Sequence, residues 1–589
     1  MNKNYFILFC ILIFAFLLRF WNVGLIPPGL NRDEAAIGYN AYSLLLTGKD
    51  EYGANYPLSL KSFGDWKLPL YVYTDIPFIK LLSLNELSVR FPSLFFGTLT
   101  VLLVYLTCRK IFELHPSRSR VSLLAAIFLA FSPWHVHFSR VTSEANLSAF
   151  FVMLGLLFFL NGLNNFRNII LSSCFLALSL YTYHGSHIFT LLFFIGLVII
   201  LLKKHISKKA VLLFIIPFIL LGSVIYSLTL VSADKTKISG LTPLSDQYLV
   251  YENTVLRRLD YENPGSLVSR VFQNKYVYLV SQVMVNYLRG FSVDFLFVSG
   301  GGNLQHNIPG FGNFYIWDSF FLVAGIYYIL KTKHPWRYLL LYWLLVSPLP
   351  ASITKDAPHS ARMFALLPLP QILMGFGFIE VFNLFKNIKW RNLAGSLILL
   401  VLIINFSVFM NKYFIHFPKI SEVAWGNGYK KLVTQVNAVK SNYWEIIMDK
   451  PDYSPYIYFL FYNHFNPAIF QEKVNRYSQT SEGFQHVLGI DKYIFRKLDW
   501  GSDEAHLPGT LLISFPNDTP PSATNSSYFV DENFIERIQS KYNNSFNLER
   551  GDFIKNKIVD KVTLDNGQDF LYLIGLERVP KIIGSEKNI

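Results

Sequence analysis

Charged side chains are scarce in this sequence of 589 residues, since Asp, Glu, Lys and Arg together make up only 16%. Soluble domains carry roughly 25%, so an ordinary soluble enzyme is excluded. A disordered chain is excluded as well, because 52% of the residues are hydrophobic and 17% are aromatic. The composition therefore predicts a protein that lies mostly in lipid, with a smaller part outside it.

Cysteine is also scarce. The three cysteines are Cys10, Cys108 and Cys174, all in or beside apolar runs. An odd, scattered number gives neither a disulfide framework nor the spacing of a zinc site. Nucleotide-binding motifs are absent too: the glycines at 300–302 and 310–312 indicate a tight, shaped loop, but they form neither GxGxxG nor a P-loop.

The charge that is present is unevenly distributed. The formal net charge is +14, yet residues 411–589 hold 20 basic and 21 acidic side chains. The positive excess therefore belongs to the preceding, apolar part of the chain. This argues against a nucleic-acid surface and in favour of membrane-topology signals.

Long apolar stretches dominate the first 411 residues. Most approach the roughly 20 residues that cross a bilayer, so they predict a polytopic α-helical membrane protein with about 11 transmembrane helices. A further apolar stretch at 68–84 contains two prolines, Asp75 and Lys80, and is better interpreted as a helix in the membrane interface. The candidate spans are 5–21, 88–108, 121–138, 147–163, 169–183, 187–202, 210–231, 313–330, 336–352, 361–384 and 393–410.

Basic residues between the spans predict the orientation. With the N-terminus inside and 68–84 outside, the inner loops hold 15 basic residues and one acid, Glu113. Counting 68–84 as a span would move this cluster to the outer side, against the positive-inside rule. The first run continues into Arg19-Phe20-Trp21 without a small-residue cleavage site, so we interpret it as an uncleaved helix. We expect a multi-pass protein of the inner or plasma membrane, with a cytoplasmic N-terminus.

Two domains are expected: a membrane domain at 1–411, with outer loops at 22–87 and 232–312, and an extracytoplasmic domain at 412–589. The latter mixes helical and strand-like patterns, which predicts a small α/β domain. Three of its apolar runs, at 456–462, 510–515 and 570–574, are predicted to be strands.

Unusual polar residues gather at loop ends on the predicted outer face. Asp33 and Glu34 are adjacent carboxylates directly after the first helix, costly near a membrane unless solvated, paired or used. The alternative is a helix N-terminus with Asn31 as its cap. Lys67 is able to hold a phosphate oxygen at the interface; it is equally typical of a snorkelling lysine.

Further candidates follow the third span, where two histidines lie two residues apart. His135 and His137 resemble metal ligands, but no nearby carboxylate spacing supports a metal, and an interfacial aromatic belt explains them better. Arg140 and Glu144 are four residues apart and would pair on one helical face.

The remaining candidates lie at later helix ends. Tyr183 and His184 suit sugar or phosphate contacts, and suit an aromatic belt equally well. His306 lies in the glycine-containing loop, and His359 lies three residues before Arg362. Arg362 enters a span, where an arginine is costly unless it is paired, and its planar guanidinium group suits a phosphate. The alternative for Arg362 is an ion pair with Asp356. The convergence of these residues on one face is unlike a passive helix bundle.

Several segments together resemble a known family. In chain order they are RDE after the first helix, GDWKLPLY, RFPSLFFGTLTVLLVYLTCRKIF, HVHFSR, LALSLYTYH, FVSGGGNLQHNIPGFGNFY and PHSARMFALLPLPQIL. This order resembles the bacterial glycosyltransferase family 39-like membrane enzymes of the GT-C superfamily, which includes the protein O-mannosyltransferases and the lipid A aminoarabinose transferases. The likeness covers about residues 5–385, and the first-loop signature is its most specific piece.

The resemblance implies transfer of a sugar from a polyprenyl-phosphate-linked donor at the outer membrane face. It implies that Asp33 is the catalytic base, with Glu34 beside it, and that Lys67 and Arg362 contact the donor phosphate. Glu144 stands near the position of a second acid that is often Asp in relatives. Some relatives use a divalent metal and others do not, and no ligand set is evident in this sequence.

On this basis we expect an inverting glycosyltransferase whose acceptor is a lipid, a glycan or a protein, with membrane lipid but no nucleic acid as a partner. The alternatives are a flippase or transporter for a lipid-linked glycan and a non-catalytic envelope assembly protein. A transporter should carry charged or broken helices near the bilayer midplane, whereas the polar residues here lie at loop ends.

Overall fold

The computed structural model describes residues 3–163, 165–231, 242–480, 483–500, 508–536 and 548–579. The start of the predicted outer loop, 232–241, and the last ten residues of the predicted C-terminal domain lie outside these ranges. The chain forms two compact units, described separately below. One comprises Met1–Pro27, Tyr56–Lys61 and Asp65–Pro418, and the other Pro28–Asn55, Ser62–Gly64 and Lys419–Ile589.

The first unit is built from α-helices, and each of the eleven predicted spans coincides with at least one of them. In chain order the helices are α1 (Lys3–Phe20), α2 (Arg32–Thr47, in the second unit), α3 (Pro69–Leu82), α4 (Glu86–Ile111), α5 (Arg118–Phe131), α6 (Pro133–Phe138), α7 (Glu144–Gly162), α8 (Phe166–Ser179), α9 (Gly185–Lys203), α10 (Lys208–Val231), α11 (Gln247–Thr254), α12 (Leu267–Phe272), α13 (Lys275–Arg289), α14 (Asp318–Lys331), α15 (Arg337–Val346), α16 (Leu349–Ser352), α17 (Leu369–Asn383), α18 (Ile388–Asn411) and α19 (Phe417–Ile420).

Seven helical segments within the described ranges are long and apolar enough to cross a membrane. They confirm a polytopic helical membrane protein, while the expected total of eleven spans stays a prediction because several stretches form helices of 10 to 14 residues, such as α5 and α15. The seven segments are Lys3–Phe20, Glu86–Ile111, Glu144–Gly162, Gly185–Lys203, Lys208–Leu228, Phe364–Asn383 and Ile388–Ile420.

The long helices differ in how much of their surface the protein covers. Of the residues in the most apolar 18-residue stretch of α7, 78% are buried. In the corresponding stretch of Ile388–Ile420 only 6% are buried, and side chains such as Leu397 and Ile403 are exposed. Exposed apolar faces of this size are expected of helices that contact lipid. The buried helices α4, α5, α7, α8 and α17 pack on one another to form the centre of this unit.

The second unit contains a mixed sheet in the order β4-β5-β6-β3-β7-β10-β9-β8. β3 runs parallel to both β6 and β7, and the other strand pairs are antiparallel. The C-terminal α/β fold expected from the sequence is thereby confirmed. The strands are β3 (Glu445–Met448), β4 (Asn475–Arg476), β5 (Val487–Ile490), β6 (Tyr493–Phe495), β7 (Thr510–Ser514), β8 (Ser527–Phe529), β9 (Phe553–Thr563) and β10 (Asp569–Val579), and a separate hairpin is formed by β1 (Leu60–Ser62) and β2 (Asp65–Lys67).

Two of the three predicted strands are confirmed and one is wrong. The runs at 510–515 and 570–574 lie in β7 and β10, whereas the run at 456–462 forms helix α21 (Tyr456–Tyr462). Six consecutive side chains of α21, Tyr456 to Phe461, are buried, so its sequence is apolar on all sides and carries no helical period. The other helices of this part are α20 (Asn427–Val439) and α22 (Pro467–Lys473).

Helix α2 belongs to this second unit although the sequence assigns it to the membrane part. The chain enters α2 through Gly29, whose φ is +71° and whose Cβ, if present, would lie 2.8 Å from Asn427 Cα. Tyr39 then donates a hydrogen bond to the Phe465 carbonyl (3.1 Å), and Tyr456 donates one to Glu51 (2.9 Å). Residues 28–55 of the first predicted outer loop are therefore packed against the helices of the C-terminal sheet.

Candidate functional site

Asp33 and Glu34 lie in the first turn of α2 in different environments. The Asn31 side chain accepts a hydrogen bond from the Glu34 backbone nitrogen (2.9 Å), and the Asn31 backbone nitrogen donates to Glu34 Oε2 (3.3 Å). This reciprocal pair is a capping box, the structural alternative considered for these acids. Glu34 is 1% exposed, whereas Asp33 is exposed, so the two carboxylates are not equivalent.

Tyr458 lies in the vicinity of these acids within the second unit. Its pKa is raised well above 10, chiefly by burial, and Arg32, Asp33 and Glu34 all contribute to its electrostatic environment. The Arg32 guanidinium lies 4.9 Å from the centre of the Phe63 ring. Asp33 is thus an exposed carboxylate at the edge of an aromatic cluster.

Lys67 ends strand β2 in the first unit and is 7% exposed. The segment that carries it is tied to the turn after α8: His184 Nε2 donates to the Trp66 carbonyl (3.2 Å), and the Leu70 backbone nitrogen donates to the Tyr181 carbonyl (3.0 Å). His184 therefore bonds to the peptide that precedes Lys67. This fixes the lysine segment beside residues 181–184.

Tyr183 and Arg362 lie together near this turn. Tyr183 and Arg362 line a narrow cleft of about 10 Å³, with Ser148 of α7 and Ser186 of α9, which is the space of about one water molecule. The Ser148 and Ser186 hydroxyls are hydrogen-bonded to each other. Tyr183 also interacts electrostatically with both Arg362 and Glu144. We call the space that Tyr183, Arg362, Ser148 and Ser186 line the Arg362 cleft.

Arg362 is held by the turn that precedes it. Its guanidinium donates to Thr354 Oγ1 (2.7 Å) and lies 3.3 Å from Asp356 Oδ2. The ion pair with Asp356, considered from the sequence, is present. The Arg362 side chain is 15% exposed and that of Asp356 is 48% exposed, so the pair lies at the edge of solvent and contributes little stability.

His306 and His359 are neighbours in the same unit, with ring centres 4.7 Å apart. His359 Nδ1 accepts a hydrogen bond from the Arg362 backbone nitrogen (3.3 Å). Burial, and then the positive charge of Arg362, lowers the pKa of His359 to about 3. His359 is therefore neutral at physiological pH, and its ring contributes shape and hydrogen bonds.

Arg140 departs from the sequence prediction. Helix α6 ends at Phe138 and α7 begins at Glu144, so pairing of Arg140 with Glu144 on one helical face is wrong. Arg140 is fully buried and donates to the carbonyls of Leu18, Arg19 and Ile26. Its guanidinium joins the end of α1 to the loop that follows. We therefore interpret Arg140 as a residue that stabilises the structure, not as one that contacts substrate.

The two histidines of HVH are also buried, at 1% exposure each, so an interfacial belt does not describe them. His135 Nδ1 accepts from Arg19 (2.8 Å), and His137 Nε2 donates to the Gln305 carbonyl (3.0 Å). The sequence alone predicts for Arg19 only a position at the end of the first helix. Its partner lies 116 residues away, and no local pattern signals such a contact.

Throughout the described ranges no three His, Cys, Asp or Glu side chains are grouped so that they could hold a metal ion. Glu34, the nearest acidic neighbour of Asp33, uses a carboxylate oxygen in the capping box. The residues present do not fit a metal site, and no chemical step is assigned to one.

Part of the chain is similar in sequence to a known family. Residues 68–226 match the family model described as dolichyl-phosphate-mannose-protein mannosyltransferase. A search of curated proteins found no match. The matched region begins beside Lys67 and includes Arg140, Glu144, Tyr183 and His184.

Structure comparison shows the fold. The chain is similar to ArnT from Cupriavidus metallidurans bound to undecaprenyl phosphate, with a TM-score of 0.51, 10% sequence identity and coverage of 97% of this chain and 98% of that one. It also matches the archaeal oligosaccharyltransferase AglB from Archaeoglobus fulgidus, in complex with an inhibitory peptide and a dolichol-phosphate, with a TM-score of 0.45 and 14% identity. That match covers 78% of this chain and only 64% of AglB.

These findings confirm the resemblance expected from the sequence. The protein is a multi-pass membrane protein with the fold of a GT-C glycosyltransferase, and the fold assignment rests on the likeness to ArnT along nearly the whole of both chains.

Proposed function

We propose that this protein transfers a sugar from a polyprenyl-phosphate-linked donor to an acceptor hydroxyl at the outer face of the bacterial inner membrane. The observation that carries the proposal is the partly exposed guanidinium of Arg362, which lies beside Tyr183 and so next to the turn at 181–184 that bonds the Lys67 segment. Cations beside a helix end suit a phosphate monoanion or dianion better than a neutral solute. The matching mannosyltransferase family model includes Glu144 and Tyr183, and it begins directly after Lys67.

In the proposed reaction the acceptor oxygen attacks the anomeric carbon while the bond from that carbon to the donor phosphate oxygen breaks. Asp33 takes the proton of the acceptor hydroxyl as general base. Polyprenyl phosphate leaves with the bonding electron pair, and Lys67 and Arg362 stabilise the negative charge on it. A single displacement of this kind inverts the anomeric configuration.

The remaining predicted residues receive supporting roles. We assign Tyr183, His184, His306 and His359 to substrate contacts or to the shape of the site, and Glu144 to the orientation of Tyr183 and Arg362. Arg140 is assigned a positioning role, since its guanidinium is occupied by backbone carbonyls. Glu34 serves chiefly as the partner of Asn31.

The test is consumption of synthetic polyprenyl-phosphate mannose, glucose and arabinose by purified protein with membrane extract as the source of acceptor. Release of polyprenyl phosphate measures the reaction. Asp33→Asn should lower the rate by about 10²- to 10⁴-fold, and Glu34→Gln, which keeps an oxygen acceptor for the cap, should lower it far less. Wild-type rates in Asp33→Asn would remove the base from the proposal, and retention of anomeric configuration would contradict the single displacement.

A further inference from the structure

A second cleft of about 460 Å³ lies in the first unit, beside the Arg362 cleft and distinct from it. It is lined by the end of α13, the residues that follow it, the glycines at 300–302 and the turn at 356–358. Its volume falls within the range of small-molecule sites. We call it the Gly302 cleft.

The walls of the Gly302 cleft are bonded to one another. Asn307 Oδ1 accepts from the Gly301 backbone nitrogen (2.9 Å) and from the Ser360 hydroxyl (2.5 Å), which joins the glycine loop to the turn at 356–358. Asn286 of α13 donates to the carbonyls of Ser352 (3.2 Å) and Thr354 (3.0 Å). The cleft is therefore a preformed feature of three connected segments.

The three consecutive glycines are not equivalent. Gly300 has a φ of +70°, and a Cβ there would lie 2.8 Å from the Phe311 carbonyl oxygen; at Gly301 a Cβ would lie 2.8 Å from Asn307 Nδ2. Close packing, and at Gly300 also the positive φ, therefore explain why these two positions are glycine. At Gly302 a Cβ would meet nothing within 4 Å, and φ is not positive. Gly302 lines the cleft, so a side chain at this position would enter open space instead.

The charged and hydroxyl groups around this space indicate the ligand chemistry. Asp294 and Asp356 offer carboxylate acceptors, whereas Arg289 and Ser292 offer donors. Asp356 is already paired with Arg362. The charges of the remaining pair, Asp294 and Arg289, therefore nearly balance, which favours a neutral ligand over a phosphate. Alternating donors and acceptors suit sugar hydroxyls, which both donate and accept, and open backbone at a glycine allows a ring to approach closely.

The cleft adjoins the proposed phosphate site through one ion pair. Asp356 lines the Gly302 cleft, and its carboxylate lies 3.3 Å from the guanidinium of Arg362. We propose that the Gly302 cleft binds a neutral sugar ring, either that of the lipid-linked donor or that of a glycan acceptor. This assignment rests on the proposed function for its neighbour, Arg362, but its own residues are tested separately.

Variants at Gly302 and Asp294 separate the cleft from the phosphate site. Gly302→Leu fills the space without meeting an existing atom at its Cβ, and Gly302→Ser fills it less. Asp294→Asn removes a charge while keeping an acceptor for the Ser299 hydroxyl, which donates to Asp294 Oδ1 (2.7 Å). The matched control is Gly265→Leu, at an exposed loop glycine without positive φ whose Cβ would meet only Asn263 and Arg270 at ordinary distances.

Binding is measured by native mass spectrometry of the full chain in nanodiscs, after thermal unfolding has shown that each variant is folded. The probes are undecaprenyl phosphate, undecaprenyl-phosphate mannose, undecaprenyl-phosphate glucose and a panel of neutral mannan- and dextran-derived oligosaccharides. Gly302→Leu and Asp294→Asn should weaken binding of a sugar-bearing probe at least tenfold, with undecaprenyl phosphate and the Gly265→Leu control within twofold of wild type.

A loss confined to the lipid-linked sugars assigns the cleft to the donor, and a loss confined to the oligosaccharides assigns it to the acceptor. Binding of every probe within twofold of wild type in both variants would overturn the proposal. A wild-type protein that binds oligosaccharide through this cleft but no undecaprenyl phosphate would refute the proposed function and leave the cleft assignment standing.

Discussion

At the scale of single residues, the adjacent acids Asp33 and Glu34 show how neighbours in sequence acquire different tasks. Glu34 is buried in the capping box with Asn31, and Asp33 is exposed. Glu34→Ala should lower the free energy of unfolding by about 1 kcal/mol, as for loss of a helix cap, and Glu34→Gln should recover most of it. Differential scanning calorimetry measures this. Equal destabilisation by Asp33→Asn and Glu34→Ala would contradict the separation of roles.

Arg362 is the residue on which the proposed donor site depends most. Arg362→Ala should weaken undecaprenyl phosphate binding by about 1.5–3 kcal/mol, the value of a hydrogen bond to a charged group. Asp356→Asn is the matched variant, since it removes the partner of Arg362 and keeps the arginine. Titration calorimetry should find affinity retained or increased in Asp356→Asn. Unchanged affinity in Arg362→Ala would exclude Arg362 from the phosphate site.

His359 gives a pH dependence with a defined sign. Its pKa is lowered from 6.5 to about 3 in the folded protein, so folding favours the neutral ring. The free energy of unfolding is therefore greatest above pH 6.5. It decreases as the pH falls towards 3, by at most about 1.4 kcal/mol per pH unit, because the unfolded chain takes up the proton more readily. His359→Asn should flatten this loss when melting temperature is measured from pH 7 to pH 5. Parallel curves for variant and wild type would show that the ring is not buried as described.

At the scale of elements, amphipathic and apolar periods predict helices well where the chain is long and regular. Each of the eleven apolar stretches contains helix, and the apolar runs predicted as strands at 510–515 and 570–574 lie in β7 and β10. Helix α21 could not be distinguished from a strand, because a short run buried on all sides carries no period. Only its contacts, such as that of Tyr456 with Glu51, decide its conformation.

The candidate site was predictable in part for the same reason. The sequence indicates four of the candidate site residues because they are polar residues at helix ends and loop ends, where they interrupt apolar runs. These residues are Asp33, Lys67, Tyr183 and Arg362. The bonds of Arg140 to α1 and of Arg19 to His135 join residues more than 100 positions apart, and no local pattern contains them. The Gly302 cleft likewise depends on three segments brought together by the fold.

The entry to α2 gives a prediction about an element. At Gly29 a Cβ would lie within 3 Å of Asn427 and of the Trp425 carbonyl oxygen, whereas at Gly53, with φ +87°, nothing lies within 4 Å. Gly53→Ala should therefore cost only the backbone strain, about 1 kcal/mol, and Gly29→Ala about 3 kcal/mol or more. Chemical denaturation of the two variants compares them. Equal losses would show that α2 does not pack against 425–427.

At the scale of the whole molecule, the positive-inside pattern predicts where each part of the chain lies. In a variant without Cys10, Cys108 and Cys174, Ser441→Cys should react with a membrane-impermeant maleimide in intact cells, because the C-terminal unit is expected outside. Ser207→Cys, in a basic loop expected inside, should react only after permeabilisation. Both positions are exposed. Labelling of Ser207→Cys in intact cells would contradict the proposed topology and indicate the opposite orientation.

The central claim is that this GT-C fold acts on a polyprenyl-phosphate sugar. Native mass spectrometry of the detergent-purified protein tests it most directly, with Lys67→Ala and Arg362→Ala beside the wild type. The account predicts a co-purified polyprenyl phosphate or its glycosylated form in the wild type, diminished in both variants. A lipid-linked oligosaccharide retained equally by all three proteins would contradict the account and favour a flippase for such a glycan.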